Sequence, residues 1–489
     1  GARSKAAEKR PPTMAGEIRK NFHIYAVFHV AWFMLSLVNK LEQTFARTLI
    51  ECATPVDTNA FTGSAWCGDR LLVIGQGQKL SSRGQSLECF CKVVAMVFVA
   101  VSADIIGRKA ALVVGIACTG ISALLFLIAT ASPTWLAFTL FALGQGLQGA
   151  YPAELLTALV TNDISSEEGT DLMVVQSLTT LLSLCNIFCQ ETVGAILRAS
   201  SSTDFGSTWF LVALANLSVV MWAVLCMRET KPSFEEDRSS SGIWQGVKDE
   251  LHEYWTLLRT RKVLQLNLLV YSCFAAAFTG LTIEMSFYMS YYDISQSSAA
   301  MHFFWKFPLS IMFLSTAEGI CKRLGYRKGY VAVALMWVSL DVVFMPFFLV
   351  SPVVFMLYQY ATCFASGMLP LFGMIDQRWL DQRLTSKYLS MKSLTEFAVG
   401  MLANPVYGQI FDARAVGYGR RMAPYGLMFA CKVLGMLVNF GLIWHRPDGL
   451  ARLLDRVAEE RSEALGKPEP EPVQAAQAEA DAQDDKKTN

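Results

Sequence analysis

The sequence predicts an all-α membrane protein, with twelve transmembrane helices in two six-helix halves. Composition is the first reason. Of 489 residues, 53% are hydrophobic and only 17% charged, against roughly 25% charged in soluble domains. The second is spacing: apolar runs recur at about the 20 residues a helix needs to cross the hydrocarbon core, and short charged turns separate them. The third is charge placement. Lysines and arginines gather in alternate loops, as expected when those loops stay on the cytoplasmic side.

Taken in order, residues 1–21 read as a basic cytoplasmic tail (Arg3, Lys5, Lys9, Arg10, Arg19, Lys20). The run after it is too long for a cleavable signal peptide and lacks a small-residue cleavage site. The chain starts at Gly1 rather than methionine, which leaves the completeness of the amino terminus open. Residues 22–227 supply a first bundle of six spans: Phe22 to Ile50, Leu87 to Asp104, Ala110 to Ala131, Trp135 to Val160, Leu172 to Leu197 and Trp209 to Met227. A polar loop from Cys52 to Ser86, made irregular by Gly75, Gly77 and Gly84, is expected after the first span. Cys52 and Cys67 flank it and would bond only in an oxidising compartment. Ser132-Pro133 makes the next outer turn. The fourth span contains Gly144-x-Gly146-x-x-Gly149, but no strand precedes it, so close helix packing is expected rather than a dinucleotide site.

Residues 228–262 form the central linker. Ile243, Val247, Leu251, Trp255 and Leu258 recur at helical spacing there, predicting an amphipathic helix along the membrane surface, a strut between the halves. Residues 263–445 form the second bundle, with spans at Val263 to Tyr292, His302 to Ile320, Tyr330 to Val350, Val353 to Met374, Tyr388 to Phe411 and Pro424 to Trp444. Residues 446–489 are a cytoplasmic, largely disordered tail that begins with a short amphipathic helix, Leu450 to Leu465. Both termini are expected in the cytoplasm.

The turn between spans two and three reads AVSADIIGRKAAL, from Ala100 to Leu112. Arg108 and Lys109 hold it in the cytoplasm, Gly107 permits the tight reversal, and Asp104 can accept hydrogen bonds from a helix end or pair with an arginine. This stretch resembles the signature loop of major facilitator superfamily transporters: Gly, three residues, Asp, two residues, Gly-Arg-Lys. Ala100 replaces the first glycine and Ile105 the usual arginine. TNDISSEEG (Thr161 to Gly169) resembles the family's acidic turn after span four, and Arg228-Glu229-Thr230-Lys231-Pro232 its exit from span six. The resemblance covers Phe22 to Trp444, and in style is similar to the tetracycline-resistance-like branch of general solute carriers. In the second half CKRLGYRKG repeats the glycine as Gly325, with Lys322 in the aspartate's place. DQRLTSKYLSMKSLTEF echoes DISSEEGTDLMVVQSLTTL, also in register, the mark of two related halves.

Ionisable residues inside spans are the candidate functional groups, because each costs several kcal/mol unless paired or wetted. Lys40, Glu42 and Arg47 (span one), Lys92 (two), Glu191 (five), Glu284 (seven) and Lys306 (eight) are placed in the outer half, on spans that line the central cavity by the superfamily plan. Some are expected to close the outer mouth and others to hold a solute. The competing reading is that Lys40, Arg47 and Lys306 snorkel to the surface and that Glu42 pairs within span one. Asp341 and Lys432, at similar depth in spans nine and twelve, are expected to form a structural ion pair. Asp104, Gly107, Arg108 and Lys109 form the candidate conformational-switch loop. Glu154, Glu318, Asp376 and Glu396 read as helix-end contacts, and Tyr288, Tyr291 and Tyr292 as an interfacial aromatic belt.

The resemblance implies a secondary-active or facilitative transporter of a small polar or charged solute, working by alternating access. Two departures bear on coupling. Gln145-Gly-Leu-Gln148-Gly149 lacks the arginine of the fourth-span motif linked to proton coupling. The fifth-span antiporter motif survives only as Asn186, Gln190, Glu191 and Gly194, with a closer version in span eleven (Gly400, Asn404, Pro405, Gly408). A coupling proton therefore stays open, with Glu191 and Glu284 as its candidate carriers. The alternative is a non-transporting receptor or scaffold of the same fold. No nucleophile elbow, metal-ligand spacing or Walker lysine appears, so neither an enzyme nor a metal or other cofactor is expected. A net charge of +1 argues against nucleic acid as a partner. The expected partners are the solute and the bilayer, and a monomer is expected.

Overall fold

The computed structural model describes residues 14–53, 70–150, 205–230, 243–294, 316–364 and 382–464, with scattered positions between 156 and 186, between 306 and 313, and at 375. Among these residues all regular structure is helical, and seven segments are long and apolar enough to cross a membrane. The chain is an all-α, multi-spanning membrane protein.

α1 (Met14–Ala53) starts before the predicted span, so the end of the expected tail is helical. Its one non-helical residue, Asn21 (φ −118°, ψ 26°), donates to Glu17 at 2.7 Å and accepts from Arg228.

α2 (Arg70–Ile106) is the larger departure. The stretch Arg70 to Ser86, expected to be irregular loop, is helix. Its polar and small residues are internal packing groups: Gln78, Ser81 and Ser82 are buried. At Gly77 a Cβ would fall 2.6 Å from Arg47 Cγ, so the glycine admits the α1 side chain. The remaining loop residues, Cys67 among them, and the Cys52 side chain lie outside the described residues.

α3 (Arg108–Thr130), α4 (Thr134–Gln148) and α5 (Phe205–Cys226) complete the described helices before the linker. One apolar core joins them to α1, with Phe45 and Phe126 in ring contact with each other and with both Phe141 and Trp209 at 4.9 to 6.3 Å. The glycines of the fourth-span motif serve that packing. A Cβ on Gly144 would meet the Phe126 ring at 2.5 Å, and one on Gly149 would meet Cys91 at 2.4 Å.

The linker forms α6 (Ile243–Thr260), whose first part packs on α2 through Val247, Val97 and Val101. Its last turns pack through Tyr254 and Leu257 on Leu264, Leu268, Tyr388 and Met391, and Lys387 pairs with Glu250 at 3.8 Å and also with Glu253. α6 therefore touches helices from both sides of itself in the chain.

After it come α7 (Lys262–Thr279), a 3-10 turn (Gly280–Ile283) and α8 (Glu284–Tyr291), continuous with one another. Then follow α9 (Thr316–Leu324), α10 (Tyr326–Phe344), α11 (Pro352–Thr362), α12 (Gln382–Ile410), α13 (Tyr418–Val438) and α14 (Leu450–Ala464). The core between α8, α11 and α13 is aromatic: Phe287, Phe348, Phe355 and Tyr425 meet at 4.8 to 5.5 Å. Tyr288 is buried in it against Phe355, which corrects its placement in an interfacial belt. The Tyr291 and Tyr292 hydroxyls donate to the backbone carbonyls of Asp412 and Phe348, so they too face protein.

The helices before and after the linker meet chiefly along α2 and α12. Ser86 Oγ donates to the Met401 carbonyl at 2.6 Å, and the Met96, Phe397 and Leu394 side chains pack together nearer the Gly107 turn.

Candidate functional site

The turn between α2 and α3 is built around Gly107. Its φ of +105° suits glycine, and a Cβ there would sit 2.3 Å from Glu229 Oε2. Glu229 uses that gap to accept from the backbone N–H groups of Arg108 at 2.8 Å and Lys109 at 3.2 Å. A carboxylate thus caps the positive end of α3. The Arg108 side chain, 1% exposed, pairs with Asp163 at 3.2 Å, and Lys109 Nζ donates to the Val224 carbonyl. Asp163 and Glu229 belong to the two stretches that carried the family resemblance, but residue type alone did not reveal that both converge on this turn. The Asp104 side chain lies outside the described residues.

The later turn repeats the backbone without the cap. Gly325 has φ +79° and opens α10, yet a Cβ there would meet nothing within 4 Å. Arg327 instead donates to the Ala451 carbonyl at 3.3 Å and pairs with Asp455, tying α10 to α14.

At the end of the helices away from the Gly107 turn, Arg47 of α1 reaches α8. Its guanidinium donates to Ser286 Oγ at 3.1 Å and meets Met289 Sδ at 3.2 Å. Ser286 in turn donates to Gln78 of α2 at 2.6 Å. Arg47 is buried, so it does not snorkel.

Glu42, one helical turn away, is fully buried, and neither carboxylate oxygen has a hydrogen-bond partner among the described residues. The expected pairing within span one is absent there. Its polar neighbours are Gln145 of α4, outside hydrogen-bond geometry, and Glu88 of α2. Glu88 holds Lys92 at 2.9 Å, both buried, and the Lys92 ammonium lies 4.9 Å from the Phe397 ring centre of α12. Because α2 begins at Arg70, Lys92 lies past the midpoint of this long helix, toward the Gly107 turn. Glu88 was missed, although its i,i+4 spacing to Lys92 was a readable signal.

After the linker, Glu284 of α8 accepts from Gln359 of α11 at 2.7 Å and from Lys306 at 3.3 Å. Lys306 therefore points to a carboxylate, not to the surface. Asp341 and Lys432, expected to pair, lie 2.9 Å apart and are both buried. Tyr358 also donates to Asp341, at 2.6 Å. Glu396 accepts from the Tyr271 hydroxyl. The candidates thus fall into separate groups: Arg47 with Ser286, Glu42 with the Glu88–Lys92 pair, and Glu284 with Lys306. Glu191, Glu154 and Asp376, and the side chains of Lys40, Lys322 and Glu318, lie outside the described residues. No group of three or more histidine, cysteine, aspartate or glutamate side chains placed to hold a metal occurs among the described residues.

No family model matches the chain, and no curated protein matches its sequence. Solved structures do match its fold. The human organic anion transporter MFSD10 (TETRAN) aligns at 13% identity over 87% of this chain and 99% of its own, with a TM-score of 0.60. The major facilitator superfamily proton:xylose symporter XylE aligns at 12% identity over 89% and 98%, with a TM-score of 0.55. The nucleoside transporter NupG aligns at 11% over 86% and 100%, with a TM-score of 0.57. The chain has the fold of these membrane proteins, and the likeness spreads over several kinds of transporter without selecting a branch.

Proposed function

We propose that this protein is a twelve-span transporter of the major facilitator type, a secondary-active or facilitative carrier of a small polar or charged solute by alternating access. Residues 22–227 and 263–445 are its two moving bundles, 228–262 joins them, and the 1–21 and 446–489 tails lie in the cytoplasm. The chain works as a monomer. A tetracycline-resistance-like affinity rests on the sequence style alone.

The observation that carries this reading is Glu284. A buried carboxylate shared by Lys306 and Gln359 from two further spans is an expensive arrangement in a bilayer protein, and it suits a site that exchanges partners with a polar solute. The Arg47–Ser286–Gln78 chain latches the outer side between the bundles. Glu42 and the Glu88–Lys92 pair provide the site for a coupling proton. The Gly107 turn, with Arg108 on Asp163, resets as the bundles rock.

The test is a broad screen of solutes accumulated by cells expressing the chain, with and without a proton gradient, followed by uptake of the hit in proteoliposomes. Glu284→Gln and Lys92→Ala are expected to cut uptake at least tenfold. Full uptake by both variants would remove the site assignment. Absence of solute flux across the screen would favour the receptor or scaffold reading.

A further inference from the structure

The linker helix has three faces, not two. At about 100° per residue, Val247, Glu250, Tyr254 and Leu257 fall on one side and are buried against α2, α7 and α12. Gln245, Asp249, His252, Thr256 and Thr260 form a second, polar and exposed side. Trp244, Lys248, Leu251, Trp255 and Arg259 make the third, a stripe roughly 80° wide on the same geometry. Its apolar members are strongly exposed: Trp244 71%, Leu251 47% and Trp255 64%. Water does not favour two tryptophans and a leucine in one stripe, and no described part of the chain covers them.

Three observations identify what does. The stripe mixes tryptophan with lysine and arginine, the composition of a helix lying in the headgroup layer. Trp244 stands edge-on to Phe98 of α2 at 5.4 Å, and Val94 and Phe90, one and two turns away, are exposed on that membrane-crossing helix, so the stripe continues a lipid-facing surface. Depth agrees as well: α6 ends at Thr260 and the next span begins at Lys262, which ties it to the membrane boundary. Arg259, Arg261 and Lys262 are all exposed at that junction. The acidic residues Glu250 and Glu253 are turned toward Lys387 and do not oppose this cluster.

We propose that the third face of α6 is a binding site for anionic phospholipid on the linker's side of the membrane. Trp244, Leu251 and Trp255 enter the acyl boundary, and Lys248, Arg259, Arg261 and Lys262 hold the phosphate-bearing headgroup. Because α6 contacts α2 at one end and α12 at the other, bound lipid braces the two sets of helices together. This inference rests on the membrane fold and not on transport, so its failure would leave the transport reading standing.

The test uses the purified full chain in neutral detergent, titrated with phosphatidylglycerol or phosphatidylcholine, with retained lipids counted by native mass spectrometry. Wild type is expected to retain phosphatidylglycerol several-fold better than phosphatidylcholine, and the preference is expected to fall in high salt. The Lys248→Gln/Arg259→Gln/Arg261→Gln/Lys262→Gln variant should lose most of that preference, whereas Arg323→Gln/Lys328→Gln, at exposed residues elsewhere, should keep it. Equal retention of the two lipids by wild type would overturn the proposal without any variant having to fold. An equal loss in both variants, or no loss in the first, would also overturn it.

Discussion

Arg47 and Ser286 stand 239 residues apart in the chain and meet at 3.1 Å between buried groups. The contact joins the first helix to the helix that follows the 3-10 turn after the linker. The guanidinium meets Ser286 Oγ and Met289 Sδ there, and breaking one hydrogen bond with a charged donor costs about 1.5–3 kcal/mol. That suits a contact that must open and re-form.

Arg47→Gln should therefore loosen the outer side without unfolding the chain. With a single cysteine introduced as Ser82→Cys, in a background stripped of reactive cysteines, labelling by a membrane-impermeant maleimide from the outer side should rise several-fold in Arg47→Gln. Unchanged labelling would show that Arg47 does not hold this side shut.

The Asp341–Lys432 pair makes the opposite prediction. Both groups are buried, so removing one leaves the other's charge uncompensated, at about 3–5 kcal/mol. Asp341→Leu and Lys432→Met should each lower the unfolding temperature in detergent sharply, and the double variant should recover much of the loss. A double variant no more stable than either single would argue against the pair as a structural support.

At the two turn glycines the same substitution should have unequal effects. Alanine in this positive-φ, extended-ψ conformation costs about 1–3 kcal/mol at Gly107 and Gly325 alike. Only at Gly107 does the new Cβ also displace Glu229 from the amides of Arg108 and Lys109. Gly107→Ala should thus destabilise the protein more than Gly325→Ala. Equal losses in thermal unfolding would mean that the Glu229 cap contributes little.

Glu42 separates stability from function. Its buried oxygens lack hydrogen-bond partners among the described residues, and a buried unpartnered charge is costly. Glu42→Gln is expected to melt no lower than wild type while losing proton-driven accumulation. A variant that accumulates solute at the wild-type rate would take Glu42 out of the coupling site.

Hydropathy and charge are local quantities, and they were enough to find the apolar segments, the Gly107 and Gly325 turns, the linker helix and the depth match of Asp341 with Lys432. Each of these depends on residues close together in the chain, or on position along the membrane normal. The stretch from Arg70 to Ser86 was misread because glycine, serine and glutamine look alike in a loop and in a tightly packed helix face. What separates the two is the neighbour, here Arg47 and α12. The same limit hid Tyr288 in the aromatic core, Gln359 on Glu284, and the meeting of Asp163 and Glu229 at one turn. The sequence by itself determined that the chain crosses a membrane many times and where most of the described crossings fall, because partitioning into lipid is paid residue by residue. Only the tertiary structure decided which buried charge faces which partner, because an ion pair inside a membrane protein depends on distances between helices that no single segment encodes.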